Sequence, residues 1–253
     1  MDHRNIRSDA LTLERGVTAS DLRVKVFADG ADVAGCRELA ANPLIKGFTT
    51  NPTLMRKSGV SDYAAFATEL LDAIPDRPIS FEVISDDVDE MEYQGRLIAS
   101  WGTNVYVKIP VTNCEGQGTD EILARLAADG VKINVTGLMT LDQVARVSEC
   151  VAGPTPACIS VFAGRIADAG VDPVPVMGAA VELLAEHPNQ ELIWASPREI
   201  LNIVQADQIG CHIITVTHDL LRKLSLLGKD LGEFSLETVR MFRNDAVRAG
   251  YSL

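Results

Sequence analysis

VYVKIPVT, residues 105–112, alternates Val105, Val107 and Ile109 with Tyr106 and Lys108, which is the period-2 pattern of a strand. Pro110 closes the run because it has no N–H for a ladder. The lysine needs an explanation, since a strongly hydrated side chain stands almost at the end of an apolar strand. Similar short runs recur along the chain at 24–29, 46–50, 79–84, 104–110, 131–136, 157–163, 191–196 and 211–217, and each reads as a strand.

Helical patterns fill the intervals. Tyr63, Phe66, Leu70 and Leu71 share one face of 61–73. The stretch 86–100 begins acidic, which suits a helix N-terminus. Thr140 and Gln143 form a capping-box pair before 141–151, and Asp172-Pro173 opens 173–186 with a cap and an N1 proline. Ser196-Pro197-Arg198-Glu199 combines cap, N1 proline and N3 glutamate, so it predicts a helix starting there.

Eight strands alternating with helices over about 230 residues predict an α/β fold, a single-domain (β/α)8 TIM barrel. The barrel spans 23–253, after an N-terminal extension at 1–22. An extra C-terminal helix at 235–248 carries Leu236, Val239, Phe242, Ala246 and Val247, and it either closes the barrel or packs on a partner subunit. An open doubly wound sheet is the rival, but no GxGxxG follows a strand and no GxxxxGK[ST] occurs.

Composition agrees. A hydrophobic content of 47% with only 5% aromatics suits a parallel sheet wrapped by helices better than a β-sandwich. A net charge of −12 repels phosphate backbones and argues against nucleic acid, so an anionic small molecule needs a local basic pocket. Five cysteines form an odd, widely spaced set without CxxC, as expected of free thiols in a reducing compartment. MDHRNIRSDALTLERG has no apolar h-region, and no apolar run approaches the ~20 residues of a membrane span. The expectation is a cytoplasmic protein with no membrane partner.

In a TIM barrel the active site lies at the C-terminal strand ends. The polar residues there are Asp29, then Thr49, Thr50 and Asn51, then Glu82, Lys108, Asn134 and Thr136, then Ser160 and, past the apolar Phe162, Arg165, and finally Ser196 and Arg198. A lysine at a desolvated barrel mouth favours its neutral amine, which can attack a carbonyl and form a Schiff base. Asp29 and Glu82 are acid/base candidates. Three plainer readings stand beside this one. Lys108 can snorkel to water or pair with Glu82, Asp29 can be a turn residue before Gly30, and the two arginines can be solvated. If instead they form an anion clamp, Arg198 in the first turn of a helix would add the helix dipole to it. His3, His187, His212 and His218 form no ligand spacing, so no metal is expected; His218 either touches the mouth or is structural.

These motifs resemble the transaldolase family. GFTTNPTLM is similar to its second-strand signature, and VYVKIPVT to the segment with its Schiff-base lysine. KINVTGLMT, ISVFAGRIADAG and IWASPREI are similar to the fifth-, sixth- and seventh-strand motifs, in matching order over about residues 24–225. The length fits short transaldolases and the fructose-6-phosphate aldolases grouped with them. The resemblance implies that Lys108 forms the Schiff base, that Asp29 acts on the hydroxyl proton, and that Glu82 and Thr136 position a catalytic water. It implies substrate contacts from Thr49, Asn51, Asn134 and Phe162, with Ser160, Arg165 and Arg198 on the acceptor's phosphate. It also implies transfer of a dihydroxyacetone unit between sugar phosphates in pentose phosphate metabolism, with no metal or organic cofactor, by a homo-oligomer. The related aldolases carry Gln and Tyr where Glu82 and Phe162 stand. Val161, Pro197 and Gly137-Leu138 depart from the family pattern near the arginines, which leaves a sulfonated or otherwise modified ketose as an alternative substrate. A dihydroxyacetone aldolase and a silent sugar-phosphate-binding barrel are the competing readings.

Overall fold

The computed structural model describes residues 18–252. Most of the N-terminal extension expected at 1–22 therefore lies outside the described residues; Ala19–Asp21 form one 3-10 turn leading into the barrel. Eight parallel strands close in sequence order. They are β1 Lys25–Asp29, β2 Ile45–Thr49, β3 Ile79–Glu82, β4 Val105–Pro110, β5 Ile133–Leu138, β6 Ala157–Val161, β7 Gln190–Trp194 and β8 Ile213–Thr217. The helices are α1 Val33–Ala40, α2 Pro52–Lys57, α3 Tyr63–Ala73, α4 Val88–Ala99, α5 Asp120–Ala128, α6 Leu141–Cys150, α7 Ala163–Asp168, α8 Pro173–Leu184, α9 Leu201–Gln208, α10 His218–Leu221 and α11 Leu231–Arg248.

Strand alternation sorts the side chains into two sets. Val26, Phe48, Phe81, Val107, Ile109, Val135, Ile159, Trp194 and Ile214 point outward and form the main core with the helices, all nearly or fully buried. Phe27, Cys158, Ile193 and Ile213 point inward, with Tyr106 packed on them, and fill the barrel axis. The Phe27 ring needs Gly47 opposite, because a Cβ there would lie 2.5 Å from it. One step further along each strand the inward residues turn polar, and these make the mouth.

The caps on α6 and α8 form as expected: Thr140 accepts from Gln143 N in a full capping box, and Asp172 accepts from Val174 N ahead of Pro173. The helix expected at Ser196–Glu199 does not start there. Ser196 is the one non-glycine among the described residues with positive φ, at 58°, and α9 begins only at Leu201. The physical reason is a competing acceptor. The Asn202 side-chain carbonyl takes the N–H groups of Arg198 and Glu199, at 2.7 and 3.2 Å, which a Ser196 cap would have taken. Arg198 therefore stands in a loop, not in the first turn of a helix. β5 also starts and ends two residues later than its apolar run suggests, and Gly137 at φ +84° accommodates the irregular pairing with β6.

The C-terminal helix does not close the barrel. None of its residues is buried, and Leu236, Val239 and Phe242 are 48%, 60% and 64% exposed. No described helix is long and apolar enough to cross a membrane.

Candidate active site

β3 and β4 pair in a register that sets Glu82 directly beside Lys108. β3 is anchored from outside. Phe81 lies in edge-to-face contact with Tyr63, Phe66 and Trp101, at centroid distances of 6.3, 6.4 and 5.7 Å. Tyr63 also donates its hydroxyl to the Glu82 main-chain carbonyl at 2.8 Å. With Phe81 locked outward, alternation turns Glu82 inward.

Lys108 is 7% exposed, so it does not snorkel. Its Nζ donates to the Thr50 carbonyl at 2.7 Å and to Glu82 Oε2 at 3.0 Å. The ion pair that the sequence left open is thus present, at the rim of a cavity. Thr136, two residues beyond Asn134 on β5, turns a buried hydroxyl toward the same space, and that Oγ1 has no protein partner. An unpaired buried hydroxyl is costly without a further partner such as water.

Asp29 ends β1 and lies opposite Thr49 on β2 and Thr217 on β8. Thr49 Oγ1 donates to its Oδ1 at 2.7 Å, and Asn51 Nδ2 to its Oδ2 at 3.3 Å. Asn51 also caps α2, its Oδ1 accepting from Leu54 N at 2.9 Å, so one side chain fixes both the helix and the carboxylate. Burial pushes the Asp29 carboxyl above the ordinary aspartate range, against the opposing pull of Lys108 and the two donors.

The cavity has a volume of about 370 Å³ and draws its wall from both groups, including Asp29, Glu82, Lys108, Thr136, Ser160 and Arg165. Thr49, Asn51 and Phe162 also line it. Two expected residues do not. Asn134 is fully buried beneath the wall, where its Nδ2 donates to Ser80 and its Oδ1 accepts from Ser160 Oγ at 2.7 Å. Arg198 is turned away into an ion pair with Asp168. Arg165, by contrast, packs its guanidinium 5.9 Å from the Phe162 ring centroid. His218 does not reach the cavity.

Two polar wall residues were not anticipated, Thr53 and Thr215, while Ser196 stands where the strand-seven end placed it. Thr215 was legible, because alternation from Ile213 turns it inward, where it shares a hydrogen bond with Thr49. Ser196 reaches the wall through its left-handed backbone, which no strand pattern encodes. That loop is held by close packing on α7: a Cβ at Gly164 would lie 1.6 Å from the Ser196 carbonyl oxygen.

A closed parallel barrel whose strand ends gather one amine, two carboxylates and several hydroxyls around an open cavity defines a (β/α)8-barrel enzyme. Comparison with known proteins makes this specific. Residues 26–252 match the family model described as Transaldolase/Fructose-6-phosphate aldolase, and the chain belongs to that family. It is 34% identical over 202 residues to a protein of Dehalococcoides mccartyi named "Probable transaldolase", covering 79% of this chain and 90% of that one. It is 33% identical over 231 residues to one of the same name from a Thermoanaerobacter species, covering 91% and 100%. "Probable transaldolase 2" of Listeria monocytogenes is 35% identical over 202 residues, covering 79% and 88%. The chain is an enzyme of the transaldolase type. Solved structures share the fold at lower identity. A dihydrodipicolinate synthase family protein from Coccidioides immitis aligns at TM-score 0.55 and 13% identity, over 77% of this chain and 67% of that one. A 2,3-dimethylmalate lyase aligns at 0.50 and 12%, over 90% and 84%.

Proposed function

We propose that this enzyme transfers a dihydroxyacetone unit from a ketose phosphate of the fructose 6-phosphate type to an aldose phosphate, through a Schiff base on Lys108. The observation that carries the reading is the buried Lys108 amine, 3.0 Å from Glu82 on the same cavity as a second carboxylate, Asp29. Lys108 Nζ passes a proton to Glu82 and attacks the ketose C2 carbonyl. The resulting carbinolamine loses its hydroxyl as water, with Glu82 and a water on Thr136 carrying the protons. The Asp29 carboxylate then takes the C4 hydroxyl proton as the C3–C4 bond breaks. That electron pair moves into the iminium, leaving an enamine on Lys108 and a free aldose. An incoming aldehyde reverses these steps.

A carboxyl raised by burial suits Asp29 to this proton transfer, because it is a stronger base than an ordinary aspartate. The sugar's terminal anion would fall to Arg165 and Ser160 on the cavity wall. Among the described residues Arg165 has no ion-pair partner, whereas Asp168 occupies Arg198 and would have to release it before it could join. Asn134 would act through the Ser160 hydroxyl it orients, and Phe162 would hold Arg165. An acidic carboxyl at Glu82 favours the transferase over a dihydroxyacetone aldolase, and no nucleic acid or cofactor enters the scheme. The unpartnered apolar residues of α11 support a homo-oligomer with a second copy covering them, and the five free cysteines support a cytoplasmic setting. A stable monomer in light scattering at micromolar concentration would exclude the oligomer.

Borohydride trapping with fructose 6-phosphate, read by peptide mass spectrometry, tests the chemistry. A dihydroxyacetone adduct on Lys108 supports it. An adduct only with a sulfonated or differently phosphorylated ketose keeps the mechanism and changes the substrate, while no adduct with any ketose ends the proposal.

A further inference from the structure

The turn that follows Asp29 is built against an imidazole from the other end of the chain. His218 opens α10 directly after β8, next to Thr217, the β8 residue paired with Asp29. Its ring lies over two glycines. A Cβ on Gly30 would sit 2.4 Å from Nε2, and one on Gly35 would sit 3.1 Å from both Cε1 and Nδ1. Cys36 Sγ lies 4.0 Å from Nε2 and completes the seat. Gly30 is not among the residues with positive φ, so its backbone conformation does not call for glycine. The ring does: it occupies the volume that a side chain at position 30 would fill.

This contact bears on Asp29 by a short route. Gly30 is covalently next to Asp29, and its N–H donates to the Thr49 carbonyl at 3.0 Å. Thr49 in turn is the residue whose hydroxyl donates to the Asp29 carboxylate. A ring seated on Gly30 therefore lies against the segment that is bonded to Thr49 and leads into the Asp29 carboxylate. The surroundings of the ring are mixed. Asp29, Asp32 and Asp219 favour its charged form, Arg222 and burial oppose it, and burial prevails to hold the imidazole below the usual histidine range. A neutral ring is suited to packing on a glycine turn.

We propose that His218 is a positioning residue: its ring wedges the Gly30 turn and fixes the Asp29 carboxylate for proton transfer at the sugar hydroxyl. The inference rests on the proposed role of Asp29. It predicts that His218 affects C–C cleavage and leaves imine formation on Lys108 untouched.

The test is steady-state kinetics with fructose 6-phosphate and an aldose phosphate acceptor, together with borohydride trapping, on the full chain. His218→Ala empties the seat, and Gly30→Ala drives a methyl group into it and displaces the ring. Each should lower kcat about tenfold, the scale of a sub-ångström misplacement of a reacting group, with KM for the ketose changed less than about twofold. The Lys108 adduct should form to the wild-type extent. The double variant should be no slower than the slower single, because both changes act on one seat. His218→Phe keeps a ring in place and should hold kcat within about threefold of wild type, which separates loss of the wedge from loss of the fold. Single variants turning over at the wild-type rate, or effects that multiply in the double variant, would overturn the proposal. Asp29→Asn serves as the control for the underlying reading. If the wild type traps and Asp29→Asn is inactive while His218→Ala is unimpaired, only the positioning role fails. If the wild type does not trap, or Asp29→Asn stays active, the reading of the site fails instead.

Discussion

Replacing Lys108 by Met removes the amine without emptying its space, and the structure gives the cost. Two charge-assisted hydrogen bonds disappear, to the Thr50 carbonyl at 2.7 Å and to Glu82 at 3.0 Å. Bonds of that kind contribute about 1.5–3 kcal/mol each, so the gross loss is about 3–6 kcal/mol. Part returns because an ammonium no longer has to be dehydrated. Glu82 keeps some contact with the cavity, its side chain 18% exposed, so it is not stranded as a fully buried charge would be. The expected net destabilisation is about 2–3 kcal/mol. Adding Glu82→Leu should recover most of it, since an apolar pair leaves no orphaned charge. Urea unfolding at pH 7.5 of wild type, both single variants and the double variant measures this, with the midpoint shift read at constant slope. A Lys108→Met protein within about 0.5 kcal/mol of wild type would refute the reasoning, because the pair would then contribute nothing.

Asp29→Asn should lower kcat about 10²–10⁴-fold and yet stabilise the protein at neutral pH. Its folded-state carboxyl is raised, so the native state binds the extra proton; stability is fullest below the unfolded value near 3.9 and falls as pH rises through the folded one. The wild type should show that decline in thermal scans and the variant should lack it. His212 behaves in the opposite sense. It accepts the Leu192 N–H at Nδ1, 3.0 Å away, and burial lowers its pKa. Its contribution should be complete above about pH 6.5 and lost as pH falls below that, a change that His212→Asn, which still offers an acceptor, should flatten. Gly164→Ala places a Cβ 1.6 Å from the Ser196 carbonyl, a backbone clash that should cost upwards of about 3 kcal/mol and lower Tm by roughly 6 °C or more. An unchanged Tm would show that the 195–200 loop yields freely.

The barrel was legible because strand alternation and helix caps are local. Val105 to Ile109 announce a strand, and Thr140 with Gln143 announces a helix, whatever surrounds them. The site followed from the same rule, since inward phase at the strand ends brings Asp29, Glu82, Lys108, Thr136 and Ser160 to one cavity. Failures arose where a partner outside the motif itself decided the outcome, a few residues on or far along the chain. Ser196-Pro197-Arg198-Glu199 has every mark of a helix start, yet Asn202 takes the amides, and Asp168 takes the Arg198 guanidinium from thirty residues away. Asn134 has the right phase, but its partners Ser80 and Ser160 hold it beneath the wall. The seat of His218 on Gly30 joins the first and last strands, and no local pattern records it.

The layer of Phe27, Tyr106, Cys158, Ile193 and Ile213 gives the cavity a floor. Molecules then come and go at the open end, past the strand ends. Under the proposed transfer, the departing aldose must clear the threshold before its successor can step in, and the loaded lysine would wait alone between visitors. Traffic of this kind imposes a strict queue. Double-reciprocal plots at several acceptor concentrations should run parallel, and a crowd of acceptor should slow the enzyme by occupying the donor's place before the donor arrives.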